Sequence, residues 1–155
     1  MGRVYDKVYQ FRWTYGKGLT FRYKKHAKVV EEYLDYDEEV SFAFAAQKNG
    51  SSKEFINTFV VALTNKRLVL GRKRLLWGSF FYTITPDMYN DMRIYKGIFW
   101  GKVTIDTIKE EVVLSNLPKR GLDAIETAIS EYMMEEKKKY KKRDDEVSKW
   151  FCSFL

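Results

Sequence analysis

Two runs of β-branched and aromatic residues within 55–70 are separated only by Asn65 and Lys66, and this pattern constrains the fold more than any other. It is typical of a β-hairpin with a two-residue turn. Such a turn pairs four aliphatic residues across the strands: Leu63 with Leu68, and Val61 with Leu70. A slip of one residue would turn all four side chains to the other face, so burial of this face sets the register.

A second hairpin is predicted at 102–116, with Lys109 and Glu110 as its turn. This turn pairs Thr107 with Val112, and Ile105 with Leu114. Further short runs, separated by Gly, Ser, Asn or Lys, bring the number of predicted strands to seven. These strands are 40–48, 55–64, 67–73, 79–85, 91–97, 102–108 and 111–117. We therefore expect an antiparallel meander or barrel.

The hydrophobic period changes after Pro118, where apolar residues recur at steps of three and four. The resulting stripe consists of Leu122, Ile125, Ile129, Tyr132 and Met133. One C-terminal helix is therefore expected to follow the sheet. Its charged continuation, 135–146, has no apolar stripe and should project into solvent or fray.

The first 35 residues are predicted from two weaker patterns. Aromatic residues alternate with polar ones at 9–15, which favours a strand, although the spacing of Val4, Val8 and Phe11 also fits a helical stripe. The spacing at 20–34 is helical, with Thr20 as its N-cap.

A family resemblance rests on two motifs in a fixed order. The first is the run Leu63-Thr64-Asn65-Lys66-Arg67-Leu68, and the second is the glycine-bounded aromatic turn Gly97-Ile98-Phe99-Trp100-Gly101, which precedes the sixth strand. Their order, followed by a closing helix, resembles the bacterial PH-domain (pleckstrin-homology-like) family. The resemblance implies a mainly β fold with α: a seven-stranded antiparallel, two-sheet, partly open barrel capped by the C-terminal helix, here at 119–135.

The resemblance covers roughly 36–135 and implies a PH-like domain there. Residues 1–35 are then an N-terminal extension with a helix, and 136–155 are a charged and amphipathic C-terminal tail. The family's fold is mostly a binding platform, so the fold by itself does not name a ligand. The basic signature of phosphoinositide-binding relatives around the first two strands is not matched.

A candidate anion site follows from the predicted topology. The first and third connections of an up-and-down sheet lie at the same end, so the loops 48–53 and 71–78 should be neighbours. They would gather five cations and one tryptophan: Lys48, Lys53, Arg72, Lys73, Arg74 and Trp77. Converging cations suit a phosphate or anionic head group, and tryptophan can enter a membrane interface. Ordinary solvated loops are the alternative, and the net acidic turn at 109–111 argues against a strong phosphoinositide pocket.

A second candidate surface is the end of the chain. Residues 147–155 follow a cationic run and place five apolar side chains on one helical face: Val147, Trp150, Phe151, Phe154 and Leu155. This is the outline of an interfacial amphipathic helix, too short to span a bilayer. We expect the face to dock on its own barrel or on a second copy, with membrane contact as the alternative. Solvent exposure of all five side chains is the least favoured state.

The N-terminal segment interleaves aromatic and basic residues, as proteins that bind single-stranded nucleic acid do. The aromatic members are Tyr5, Tyr9, Phe11, Trp13, Tyr15, Phe21 and Tyr23, and basic residues such as Arg12 and Lys17 lie between them. Packing of these aromatic residues against the sheet is the alternative. No RNA-binding or helix-turn-helix signature accompanies them.

Catalytic signals are weak. His26 is the only histidine and lies among lysines, so we expect a surface residue rather than a general base. Cys152 is the only cysteine, which rules out an internal disulfide and suits a reducing compartment. A zinc site would lack ligands, and no glycine-rich phosphate loop is present. We expect no enzyme activity, no cofactor and no metal.

The net charge of +7 favours anionic partners without selecting among them. No window is apolar enough for a membrane span, and the N-terminus lacks the apolar stretch of a signal peptide. The sequence therefore predicts a cytoplasmic, non-enzymatic binding or scaffolding module that acts by protein-protein interaction or self-association. The alternatives are peripheral binding to anionic lipid at the inner membrane face and, with less support, binding of single-stranded nucleic acid.

Overall fold

The computed structural model describes residues 2–48 and 57–155. Two N-terminal helices, α1 (Arg3–Tyr15) and α2 (Tyr23–Tyr33), precede a β-sheet, and a long helix, α3 (Leu122–Cys152), closes the chain. The strands are β1 (Val40–Lys48), β2 (Thr58–Thr64), β3 (Leu68–Lys73), β4 (Ser79–Ile84), β5 (Tyr89–Lys96), β6 (Trp100–Thr107) and β7 (Glu111–Pro118).

All seven strands are antiparallel neighbours in the order β4-β3-β2-β1-β7-β6-β5. The sheet curls into a half-barrel whose edge strands, β4 and β5, do not pair with each other among the described residues. The predicted PH-like, mainly β architecture with a closing helix is therefore confirmed. The first hairpin also has the predicted register, with Leu63 opposite Leu68 and Val61 opposite Leu70.

The second hairpin differs from its predicted register by two residues. Ile105 lies opposite Val112, and the Thr107 N–H donates to the carbonyl of Glu110 at 3.1 Å, so the turn is at 108–109. The Thr107 hydroxyl holds this turn by donating to the Glu110 carbonyl at 2.7 Å. Because side chains alternate with a period of two, a two-residue shift leaves each side chain on its predicted face.

The main core fills the concave side of the sheet. It contains the four hairpin aliphatics Val61, Leu63, Leu68 and Leu70, together with the buried stripe of α3, Leu122, Ile125, Ile129 and Met133. Tyr132 packs against the edge of this core. The stripe read from the sequence therefore faces the barrel as predicted.

The two N-terminal helices cover the convex side of the same strands. Val4 and Val8 of α1 and Val30 of α2 form a second apolar cluster with side chains of β1, β2 and β3. Every residue of β2 is consequently buried. This explains why β2 lacks the polar alternation of a strand with one face in water.

The predicted strand at 9–15 is wrong, because these residues belong to α1. The helical stripe Val4, Val8 and Phe11 lies buried against the sheet, whereas Trp13, which a strand would place on the same face as Phe11, is exposed. The predicted helix at 20–34 is confirmed as a helix, with the bounds Tyr23–Tyr33. Thr20 is not its cap, since Arg22 occupies that position in a left-handed conformation.

The C-terminal tail does not dock on its own barrel. Helix α3 continues unbroken to Cys152, and every residue from Lys138 onward is exposed. The five apolar residues 147, 150, 151, 154 and 155 are all exposed, the state that the sequence analysis favours least. Intrahelical hydrogen bonds satisfy the backbone of this segment, whose side chains are exposed.

Candidate functional site

Three of the predicted rim cations lie along a row of aromatic rings at one end of the barrel. Lys48 ends β1, whereas Arg72 and Arg74 lie at the end of β3 and just beyond it. The contacts from charged group to ring centroid are Lys48 Nζ to Tyr82 at 4.0 Å, Arg72 Cζ to Phe59 at 5.9 Å and to Phe80 at 6.0 Å, and Arg74 Cζ to Phe80 at 4.3 Å. Such contacts hold each cation beside a ring face.

Lys48 is the least available member of this row. Its side chain is nearly buried and its ammonium lies 3.8 Å from a carboxylate oxygen of Glu110. It lines a groove of about 500 Å³ between β4 and the β6–β7 turn. Lys53, the other cation predicted from the first connection, lies outside the described residues.

Lys73 belongs to the opposite face of β3. Its backbone N–H donates to Nδ1 of His26 on α2 at 2.9 Å. His26 is buried, so the expectation of a surface histidine is wrong. Burial, followed by the charges of Arg22 and Arg72, lowers the pKa of His26 to about 4, and the neutral imidazole can therefore accept this bond.

Three cations of the N-terminal extension join the β3–β4 connection. These cations are Arg22, Lys25 and Lys28. Together with Lys73, Arg74 and the carboxylate of Glu32, they line a hollow of about 390 Å³. Within residues 2–48 and 57–155, none of the cations at 22, 25, 28, 72, 73 and 74 forms a salt bridge. The rim position of 22, 25 and 28 was not predicted, although the three-residue spacing of Lys25 and Lys28 places these two on one face of α2.

Arg72 lies close to two other positive charges. Burial lowers the pKa of its guanidinium, and the nearby charges of Arg74 and Arg22 lower it further. Like charges brought together without a carboxylate partner favour the approach of an anion, because the anion reduces their mutual repulsion.

The loop between β3 and β4 carries an apolar tip beside these cations. Leu75, Leu76 and Trp77 are 57%, 85% and 83% exposed. The loop closes where the Arg74 N–H donates to the carbonyl of Gly78 at 3.1 Å, and Gly78 has a φ of +73°, a conformation that favours glycine. The predicted Trp77 is thus joined by two exposed leucines that the prediction omitted.

The tail residues form a separate aromatic group. Trp150 lies 5.2 Å from Phe151 and 4.6 Å from Phe154, measured between ring centroids. In the described structure no ring or hydrogen-bond contact connects this group to the β3–β4 loop. The two predicted surfaces are therefore independent features.

Most N-terminal aromatic residues are used within the fold. Phe11 is part of the main core, Tyr5 stacks on Tyr23 at 5.9 Å, and the guanidinium of Arg12 lies 4.2 Å above the Tyr23 ring. Trp13 is exposed. For Phe11, Tyr5 and Tyr23, packing within the fold is therefore a better description than base stacking.

The family comparison agrees with this geometry. Residues 34–131 match the family model for the bacterial PH domain. The chain belongs to the bacterial PH-domain family. The match includes β1 to β7 and the start of α3, and α1, α2 and the projecting part of α3 lie outside it.

Two solved structures are similar to this bacterial PH domain. A DUF1696 family protein with a pleckstrin-homology domain from Shewanella loihica PV-4 is 13% identical, with a TM-score of 0.45, over 72% of this chain and 90% of the other. A pleckstrin homology domain from Shewanella amazonensis SB2B is 16% identical, with a TM-score of 0.42, over 81% and 94%. No curated protein matches.

The family is generally non-catalytic. Among the described residues, no group of three or more His, Cys, Asp or Glu side chains is arranged to hold a metal ion. Within the same residues, no helix is both long and apolar enough to cross a membrane.

Proposed function

We propose that this bacterial PH domain is a non-enzymatic module that binds an anionic membrane surface through its β3–β4 loop. The observation that carries the proposal is the exposed tip Leu75-Leu76-Trp77, which lies directly beside cations that have no salt-bridge partner in the described structure. The membrane alternative of the sequence analysis is thus preferred to a protein partner as the role of this loop.

The charges supply the long-range part of binding. Of the six cations, Lys25 and Lys28 lie on α2 and Arg22 is its N-cap, whereas Arg72 and Lys73 end β3 and Arg74 follows it. Each Lys or Arg near a surface rich in anionic lipid contributes about 1 kcal/mol, and salt screens this attraction. Glu32 opposes it only in part.

The apolar tip supplies the short-range part and selects among anionic partners. Burial of a leucine side chain contributes about 1.5–3 kcal/mol, and tryptophan prefers the interface between lipid and water. A free phosphate or a nucleic-acid backbone would use the cations but would leave both leucines in water. A membrane accommodates the charges and the tip together.

Vesicle co-sedimentation tests the proposal. We compare vesicles of phosphatidylcholine alone with vesicles that also contain phosphatidylserine. The loop variant is Leu76→Ser with Trp77→Ala, and the charge variant is Arg74→Glu with Lys25→Glu. The matched control is Ile98→Ser with Phe99→Ala, because these residues form an equally exposed apolar turn between β5 and β6. The neighbouring Lys96 is already paired with Asp123 at 2.7 Å.

We expect binding that depends on phosphatidylserine, falls with salt, and drops about tenfold or more in each of the two site variants. The control variant should bind as the natural chain does. Equal binding to both kinds of vesicle, or retention of binding by the loop variant, contradicts the proposal. Tight salt-dependent binding to single-stranded oligonucleotides without vesicle binding would instead favour nucleic acid.

A further inference from the structure

The groove between β4 and the β6–β7 turn has the size and the position of a ligand site. Its volume of about 500 Å³ lies within the range of about 300–1,000 Å³ that is typical of small-molecule sites. It lies along β4, one of the two edge strands, which do not pair with each other among the described residues. The groove therefore follows the side of the half-barrel that the sheet leaves open.

The floor of the groove is apolar. Leu70, Ile84 and Val112, all members of the main core, line it, and Met88 of the β4–β5 connection packs against the same core. Tyr82 adds its ring from β4 and is 38% exposed. Such a floor favours an apolar chain, because the chain leaves water when it enters the groove.

Hydrogen bonds hold the wall of the groove that faces β4. The Ile108 N–H donates to the Met88 carbonyl at 2.9 Å, which ties the β6–β7 turn to the β4–β5 connection. The Thr107 hydroxyl donates to the Glu110 carbonyl at 2.7 Å and holds the turn itself. The groove is therefore formed before a ligand enters, which reduces the cost of ordering the site on binding.

One nearly buried cation lines this otherwise apolar groove. The Lys48 side chain is only 10% exposed, and its ammonium lies 4.0 Å from the centroid of the Tyr82 ring. Its distance of 3.8 Å to the Glu110 carboxylate is too long for a hydrogen bond. Within residues 2–48 and 57–155, this ammonium donates no hydrogen bond. An ammonium has three donors, so the groove offers a place for an acceptor that carries negative charge.

We propose that this groove binds a carboxylate that carries a single apolar chain, such as a fatty acid. The carboxylate lies at Lys48, and the chain lies over Ile84, Met88 and Val112. The Glu110 side chain is 52% exposed, so it can turn toward solvent and leave the ammonium to the ligand. This site goes beyond the proposed membrane function of the β3–β4 loop and does not rest on it.

Other classes of ligand would use only part of the groove. Acetate or inorganic phosphate would pair with Lys48 but would leave the apolar floor unused. A neutral chain would cover the floor but would leave the ammonium without an acceptor, and burial of such a group is costly. A polyphosphate head group would place several negative charges beside Glu110. A carboxylate with one apolar chain matches the cation and the floor together.

Calorimetric titration of the full chain, without vesicles, tests the ligand class. The probes are dodecanoate, 1-dodecanol and acetate, each below the concentration at which it forms micelles or separates from solution. We expect dodecanoate to bind at least about tenfold more tightly than dodecanol, and acetate to show no measurable binding. Equal binding of dodecanoate and dodecanol overturns the inference. So does the absence of dodecanoate binding, which is the result expected if the free edge of β4 binds an extended peptide instead.

Three variants test the roles of the charges. Lys48→Met keeps an apolar stem without the charge and should weaken dodecanoate binding about tenfold or more, with little effect on dodecanol. The matched control is Lys102→Met, because Lys102 also lies beside a ring, at 5.5 Å from Tyr95, but is exposed outside the groove. Glu110→Gln removes the competing carboxylate and should tighten dodecanoate binding about threefold. Weaker binding in Glu110→Gln, or equal losses in the two lysine variants, overturns the inference; urea unfolding checks that each variant is folded.

NMR of methionine methyl groups locates the bound chain in the natural protein. Met88 lines the groove, whereas Met134 is exposed on α3 outside it. We expect dodecanoate to shift the methyl signal of Met88 and to leave that of Met134 in place; the opposite result overturns the inference. The loop variant Leu76→Ser with Trp77→Ala should bind dodecanoate as the natural chain does. Failure of vesicle binding and failure of this site are therefore distinguishable.

Discussion

Arg67 donates two hydrogen bonds to the buried carboxylate of Glu38, one from Nε to Oε1 at 2.9 Å and one from a terminal nitrogen to Oε2 at 3.0 Å. Glu38 is fully buried, and it also accepts bonds from the Thr64 hydroxyl at 2.8 Å and the Asp35 N–H at 2.9 Å. Thr64 and Arg67 belong to the turn motif on which the family resemblance rests. The motif is therefore structural: it ties the β2–β3 turn to the segment before β1.

Loss of this carboxylate should destabilise the domain. Removal of one partner from a buried, hydrogen-bonded ion pair costs about 3–5 kcal/mol, because the other partner loses its compensation. Since Arg67 is partly exposed, we expect Glu38→Ala to lower the free energy of unfolding in urea by about 3 kcal/mol. Glu39→Ala, one residue away and outside this cluster of side-chain bonds, is the matched control. Equal losses in the two variants would contradict the assignment.

The same residue predicts loss of stability in acid. Burial by itself would raise the pKa of Glu38, but the hydrogen bonds from Arg67, Asp35 and Thr64 outweigh it and lower the pKa to about 2. A lowered pKa contributes stability that is complete above the ordinary value of 4.5 and is lost as the pH falls toward 2. Urea unfolding across this range should show a steeper loss in the natural chain than in Glu38→Ala.

His26 predicts a second, separate pH window. Its pKa is lowered from 6.5 to about 4, so the unfolded chain binds a proton that the folded chain rejects, and stability falls as the pH drops from 6.5 to 4. His26→Asn keeps an acceptor near the Nδ1 position but cannot titrate, so its stability should fall less than that of the natural chain between pH 6.5 and 4.5. In the natural chain, NMR should show a neutral imidazole at pH 5.5; a charged one would contradict the prediction.

Gly71 predicts how closely α2 packs on β3. A Cβ at this position would lie 2.5 Å from Cγ2 of Val30 and 3.4 Å from its backbone nitrogen. Overpacking of this kind costs about 1–3 kcal/mol, and a β-branched valine has little freedom to move aside. We expect Gly71→Ala to destabilise by that amount in urea unfolding. The double variant Gly71→Ala with Val30→Ala should lose less than the sum of the single variants; simple additivity would contradict the close packing.

The strands and the closing helix were predictable because their patterns are local. The turn at Asn65 and Lys66 pairs Leu63 with Leu68, and the stripe from Leu122 to Met133 faces the barrel, both as the spacing requires. The register at 105–114 was not predictable to the residue. The sequence indicates a turn at Lys109 and Glu110, but hydrogen bonds between the Thr107 hydroxyl and the Glu110 backbone place the turn at 108–109. The strand pairing therefore shifts by two residues.

Residues 9–15 were predicted as a strand rather than a helix because strand-like alternation and helical spacing are both present there. The helix forms because Val4 and Val8 on one helical face, together with Val30 of α2, cover the apolar convex face of β1 to β3. The rim site was predicted in part: Arg72, Arg74 and Trp77 lie at one loop, but Arg22, Lys25 and Lys28 reach it only through the packing of α2. The two segments are distant in the chain, so no local pattern indicates that they meet.

Hydrophobic periodicity and turn chemistry alone determined the antiparallel sheet, its first register and the buried stripe of α3, because each depends on residues close together in the chain. Only the tertiary structure decided the helical state of residues 3–15, the burial of His26 and the meeting of α2 with the β3–β4 loop. It also decided the exposure of the apolar end of α3. These features depend on which surfaces the folded sheet leaves to be covered, and that is a property of contacts between segments distant in sequence.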